Sequence, residues 1–453
     1  MRIGRAAAVG LAAVALACGA GPAGAIEPPQ VVVGMPPADG PPGPEAPTKQ
    51  DKGCLAAGVL PDSDLSQAPP PERALELPRA RALSRGGGVT VAVIDTGVSP
   101  GARLPNLVGG GDYVATGGDG LSDCDAHGTL IAGIIAASPS TSDGFIGVAP
   151  DAQLISIRVR SGAFSLEHPN NNDATQQLSL EIRTLARAIT HAANLGAGVI
   201  TVALPVCVPA DSRVDQSILS AAIGYAVHIR GALIVAGAGN TGSSGCGEQN
   251  PAIDPGRPLD SRNWKQVKTI SAPGWFAPDV LTVGFTTATG APMADSLSGP
   301  WVSVAAPGTG IESLGPGGGG LINGVGSPDK LVPVGGASFA AAYVSGAAAL
   351  LRSRFPNETP GEISARLQAS AHAPARGIDN AVGAGVIDPL AALGFRTPPR
   401  PPAGLFRSST LVMPDPPRAR DRRPAVVATI IIAVAVVFGL GASYANKVIG
   451  RRR

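Results

Sequence analysis

The chain has 453 residues, of which 15% are charged and 44% hydrophobic, with a formal net charge of +2. That length holds one large domain or two of average size, and the apolar share is enough for a substantial core. The near balance of charge lacks the basic footprint of a nucleic-acid binder, so no nucleic-acid partner is expected.

The first 25 residues read as an export signal. Arg2 and Arg5 give a basic start, Ala6 to Ala17 is apolar but too short to span a bilayer, and Ala23-Gly24-Ala25 offers small residues for cleavage. A lipoprotein signal acylated at Cys18 fits less well, because Ala15-Leu16-Ala17 puts the larger apolar residue one position off. Residues 26–74 are rich in proline and glycine, as in "PPADGPPGPEAP", and predict an extended arm with no regular period.

From Pro78 the pattern changes. "PRARALSRGGG" predicts a short helix stopped by glycines, and "VTVAVID" a strand buried on both faces. "HGTLIAGIIAA" reads as helix, "AQLISIRVR" as strand, and "LSLEIRTLARAITHAANLGAG" as a helix with a glycine stop. "VITVAL", "SILSAAIGYAVHIRG" and "ALIVAGAG" continue the alternation as strand, helix and strand. Such βαβ repetition predicts a mostly parallel sheet with helices on both faces. Residues 161–177 are polar and predict a surface loop; "GPGGGG" at 315–320 predicts a flexible turn. Residues 397–424 form a Pro/Arg-rich linker, and Ala425 to Tyr444 is a stretch of 20 uncharged residues, long enough to cross a membrane. With the signal exporting the body, the basic tail 445–453 is expected in the cytoplasm.

Once Cys18 leaves with the signal, Cys54, Cys124, Cys207 and Cys246 remain. An even number in an exported chain points to two disulfides, and the sequence leaves all three pairings open. No two cysteines stand at C-x-x-C spacing, so no metal site is expected among them.

Four polar residues stand at element ends: Asp95 after "VAVI", His127 opening a helix, Asn240 after "VAGAG", and Ser338 opening "GGASFAAAYVSGAAALL". Each has a plain structural use alone. Asp95 and Asn240 suit turns, His127 suits packing at a helix start, and Ser338 suits an N-cap. Together they form the set that acyl transfer needs. A serine is a weak nucleophile without a base in reach; histidine supplies that base near neutral pH; a carboxylate fixes its tautomer; an amide can donate to the oxyanion.

The blocks "VAVIDTGV", "HGTLIAGIIAA", "GVAPDAQLISIRV", "VAGAGN", "VSVAAPG" and "GASFAAAYVSGAAAL" resemble those of the subtilisin-like serine proteases, over roughly residues 75–393. The surrounding layout of signal, proline-rich arm, four exported cysteines, linker and single span is most similar to the mycosins, the membrane-anchored subtilases of type VII secretion systems. The resemblance implies a three-layer α/β peptidase domain at 75–396. It makes Asp95, His127 and Ser338 the catalytic residues and Asn240 the oxyanion-hole donor beside the Ser338 N–H. It also implies that the arm wraps the peptidase domain, with Cys54–Cys124 and Cys207–Cys246 as the pairs. No cofactor or required metal is implied. The partners implied are protein substrates, the secretion membrane complex, and lipid through residues 425–444. On this reading the chain is a single-pass protein of the cell membrane with its catalytic domain on the exported side. The alternative role is mainly structural, stabilising the secretion complex.

The chain departs from the family pattern at four places. Ala337 replaces the usual threonine before the serine, Ala342 replaces a proline four residues after it, and Leu130 stands where a second histidine is frequent. Pro205 sits in "TVALPV", the segment matching the substrate-binding strand, where it removes a backbone donor.

Overall fold

Seven strands lie side by side in one sheet of the computed structural model. They are Thr90–Asp95 (β1), Leu107–Asp112 (β2), Gln153–Arg158 (β3), Val199–Val202 (β4), Leu233–Gly237 (β5), Val280–Thr286 (β6) and Val302–Pro307 (β7). Their order is β7-β6-β5-β4-β1-β3-β2, and every neighbouring pair is parallel. Parallel strands need crossovers, and crossover helices cover both faces of the sheet, which explains why β1, β4, β5 and β6 are almost continuously apolar and buried. β2, β6 and β7 are not among the predicted strands; β6, "VLTVGFT", is a short, fully buried run with no period that separates strand from helix.

The structure describes residues 26–168, 174–242, 246–257, 259–260, 262–318, 320–375, 377–397, 399 and 423–449. The expected signal at 1–25, most of the expected linker at 397–424 and the end of the basic tail lie outside them. The chain divides into two compact units, residues 1–402 and 403–453.

In the first unit, three helices matter for the site: His127–Ala136 (α1), Ala174–Asn194 (α2) and Ala337–Arg354 (α3). α1 packs on α3, and α3 lies against β4, β5, β6 and β7. Each helix carries a glycine where another part of the chain packs closely. A Cβ on Gly346 would meet the Val148 side chain at 2.4 Å, and one on Gly133 would meet Ser313 Oγ at 2.3 Å. α3 runs unbroken through Ala342, a good helix former where the family usually has proline.

The arm holds more regular structure than its composition predicts. Thr48–Gln50 pairs antiparallel with Phe164–Leu166, and Ala56–Gly58 joins the edge of Gly324–Ser327. The predicted loop at 161–177 is therefore partly strand, and α2 begins inside it at Ala174. The arm ends in a short helix, Pro70–Ala74. Along α2 the arm is held by charge: Glu45 accepts from Arg183 at 3.1 Å and Arg187 at 2.7 Å, and Asp39 pairs with His191 at 2.8 Å. The bonded cysteine pairs are Cys54–Cys124 and Cys207–Cys246.

Among its described residues the second unit is a single helix, Arg423–Ile449. Its segment Val427–Ala445 has a mean hydropathy of 2.2 and exposes its apolar side chains. Nineteen such residues rise far enough to cross the hydrocarbon of a bilayer.

Candidate active site

Two strand ends and two helix starts bring the four residues together at one side of the sheet. Asp95 is the last residue of β1 and is fully buried. β5 ends at Gly237, and Ala238-Gly239 carry the chain to Asn240. His127 opens α1 and Ser338 is the second residue of α3.

Asp95 Oδ1 lies 2.7 Å from His127 Nδ1, and His127 Nε2 lies 2.8 Å from Ser338 Oγ. Asp95 Oδ1 also accepts the Thr96 N–H at 2.7 Å, which fixes the carboxylate plane. With Nδ1–H donating to a carboxylate, Nε2 is left as the acceptor for the serine hydroxyl. The imidazole ring packs against Phe339 with centroids 5.2 Å apart. Burial opposes its charged form, yet the charge and hydrogen bond of Asp95, with Asp123 and Asp125 further off, prevail and raise the His127 pKa above its ordinary value.

Ser338 is not a cap. The N-cap of α3 is Gly336, which makes no side-chain cap bond, and the serine hydroxyl turns to the imidazole instead. The Ser338 N–H lies in the first turn, where helix geometry supplies no acceptor. Asn240 Oδ1 accepts the Ala337 N–H at 3.0 Å. That bond demands an oxygen, so Nδ2 is the free donor of this amide. The backbone at Gly336 sits at φ +142°, and a Cβ there would stand 2.7 Å from Asn240 Nδ2. Only glycine lets the chain pass so close to the amide.

The cleft holds about 400 Å³ and is lined by His127, Ser338, Asn240, Gly239, Leu204 and Pro205 among others. The Cys207–Cys246 bridge forms part of its wall; a Cβ on Gly239 would meet Cys246 Sγ at 2.6 Å.

A group absent from the sequence reading supports the site from below. Asp123 is buried and accepts from the hydroxyl of Thr96 at 2.9 Å, the N–H of Asp125 at 3.0 Å, and both the N–H and hydroxyl of Thr129. Thr96 Oγ1 in turn accepts the Gly128 N–H at 2.9 Å. One carboxylate thus links the residue after Asp95 to the first turn of α1. Burial raises its pKa against those hydrogen bonds. The signal in the sequence was the pair of threonines, one following Asp95 and one following His127-Gly128.

The subtilase family profile matches residues 86–385. Mycosin-3 of Mycobacterium tuberculosis is 47% identical over 442 residues, covering 95% of this chain and 94% of its own. The chain belongs to the subtilase family, among the mycosins. Two solved structures extend the likeness to coordinates. MycP1 from Mycobacterium smegmatis superposes with a TM-score of 0.80 at 46% identity, covering 84% of this chain and 99% of its own. A chain of an intact ESX-5 inner membrane complex superposes with a TM-score of 0.79 at 46% identity, covering 93% and 99%.

Proposed function

We propose that this subtilase hydrolyses peptide bonds of protein substrates with Ser338 as nucleophile, His127 as general base and acid, and Asp95 as the residue that orients and stabilises the imidazolium. The reading is carried by the imidazole bonded on both sides, at 2.7 Å to Asp95 and 2.8 Å to Ser338. Ser338 Oγ attacks the scissile carbonyl carbon while Nε2 takes its proton. The carbonyl oxygen becomes an anion that accepts from Asn240 Nδ2 and the Ser338 N–H, with the start of α3 adding its positive dipole end. Nε2–H then protonates the departing amine, leaving an acyl-enzyme, and water, deprotonated by the same nitrogen, releases the acid. No cofactor enters these steps.

The proposal extends to the whole chain: export by residues 1–25, an arm at 26–74, a peptidase domain at 75–396, a linker at 397–424, a span at 425–444 and a cytoplasmic tail. The catalytic unit then faces the exported side of the cell membrane, in association with a type VII secretion complex. A fluorophosphonate, which phosphonylates an activated serine with loss of fluoride, tests the chemistry: it should label the wild type and spare Ser338→Ala. Failure to label the wild type would defeat the peptidase reading. A structural role has one specific support, the likeness over 93% of the chain to a component of an assembled ESX-5 membrane complex. If Ser338→Ala restores secretion to a deletion strain, the scaffold role is the one export requires.

A further inference from the structure

The two sulfurs of the Cys207–Cys246 bridge lie against Gly239, the residue before the oxyanion donor. A Cβ on Gly239 would stand 2.6 Å from Cys246 Sγ and 3.3 Å from Cys207 Sγ, on a backbone at φ +98°. The opposite side of this segment is also held. The Gly239 carbonyl accepts the Leu297 N–H at 3.0 Å, and the Thr241 N–H donates to the Asp295 carbonyl at 2.8 Å. Residues 294–298 are clipped in turn by Gln249, which donates to the carbonyls of Ala294 at 3.1 Å and Ser296 at 2.8 Å and accepts the Ser298 N–H at 2.8 Å. Gly239 thus sits between sulfur on one side and main chain on the other.

The bridge also joins two separate pieces of the cleft. Cys207 lies in the strand Val206–Pro209, paired antiparallel with Thr269–Ala272. Cys246 forms an isolated bridge with Thr241, the residue after Asn240. Cys207 is partly exposed at the cleft wall and Cys246 is buried, so a small dithiol in the cleft meets Cys207 Sγ first.

We infer that the Cys207–Cys246 bridge is a positioning group for Asn240, and that its reduction lowers turnover by displacing the oxyanion donor. The inference rests on the peptidase reading above. A thiolate of the dithiol attacks Cys207 Sγ, the S–S bond breaks, and Cys246 leaves as a thiolate that takes a proton. The second thiolate of the dithiol closes on its own bonded sulfur and releases Cys207; two electrons pass to the bridge and the dithiol departs as a cyclic disulfide. Two thiols cannot stay within bonding reach of each other. Gly239 has no side chain to fold away and no slack behind it, so the movement passes to Asn240. That amide must hold the Ala337 N–H with its oxygen while Nδ2 faces the oxyanion. A small shift therefore weakens a bond made only in the transition state.

The test uses the full chain in detergent, assayed with a fluorogenic peptide at a temperature where circular dichroism shows both redox forms folded. Cys54→Ser/Cys124→Ser leaves this bridge as the one to be opened by dithiothreitol. Reduction should lower kcat by about tenfold or more with KM within about twofold, and reoxidation should restore it. In Asn240→Ala the same reduction should change kcat by less than about twofold, because the donor it displaces is already gone. Should the serine variant not fold, timed reduction of the wild type, stopped with iodoacetamide and mapped by mass spectrometry, gives the same comparison: kcat should fall in step with opening of Cys207–Cys246 and not of Cys54–Cys124. An unchanged kcat in the folded, reduced protein, or an equal fall in Asn240→Ala, overturns this inference alone. Failure of a fluorophosphonate to label the oxidised wild type overturns the peptidase reading and this inference with it.

Discussion

Asp123 accepts both hydrogen bonds that Thr129 can donate, the main-chain N–H at 2.9 Å and the hydroxyl at 2.6 Å. This carboxylate also adds to the field that keeps the His127 proton. Asp123→Asn removes the charge, so the pKa of His127 should fall and the acid limb of kcat/KM should move to lower pH. The asparagine cannot accept on both atoms, and one threonine loses its partner at a cost of about 1–3 kcal/mol in stability. A pH profile unchanged from wild type would show that Asp123 does not act on the base.

The wild-type profile itself has a defined direction. On the proposed mechanism His127 must be neutral to accept the serine proton, so kcat/KM should fall as pH drops through a midpoint above 6.5, the ordinary imidazole value. The stability contribution of the same group runs the opposite way. A raised folded-state pKa stabilises the fold fully below the unfolded value and loses that contribution as pH rises through the folded one. Asp95→Asn should cut kcat by about 10⁴ by leaving the imidazole in the wrong tautomer. Stopped assays from pH 5 to 9 measure both.

Asn240→Ala should lower kcat by about 10²–10³ and leave KM nearly unchanged, because the lost donor acts only on the developing oxyanion. Gly336→Ala should act in the same direction through a different atom, since its new methyl would press on Asn240 Nδ2 from 2.7 Å. If Gly336→Ala keeps full kcat, the amide does not need its observed position.

The Cys54–Cys124 bridge closes a loop of 70 residues. Replacing both cysteines with serine should lower stability by about 2–5 kcal/mol and lower Tm accordingly. The double variant should also be less sensitive to reductant than the wild type, whose second bridge and first bridge both open. Equal Tm values for the two proteins would show that the arm is held without the bond.

Ending the chain at residue 396 should give a protein that is soluble without detergent and still reacts with a fluorophosphonate. The core, the cleft and the arm contacts all fall within residues 1–402, one of the two compact units. Aggregation of that product, checked by sedimentation, would place part of the fold's support beyond residue 396.

Much of this was legible before any coordinates, for a physical reason. Parallel strands buried on both faces leave long apolar runs, and their carboxyl ends put Asp95 and Asn240 where a reader of the sequence can find them. Ser338 and His127 were visible as polar residues at the mouths of apolar helices. The strand Phe164–Leu166 was not, because its partner is an arm more than 100 residues away and its own neighbours are polar. Asp123 was hidden because its partners are spread over the turn after β1, its own loop and the first turn of α1. Ala126 was hidden more completely: it takes the left-handed conformation at φ 61°, turning the chain just ahead of His127, and an alanine gives no sequence sign of that geometry.

The closed loop between Cys54 and Cys124 contains the exposed turn at Pro61-Asp62. A clip at that turn would sever the backbone without freeing the upstream fragment, because sulfur still joins it to Cys124, three residues ahead of the imidazole. The nicked molecule would migrate as a single band until reduced.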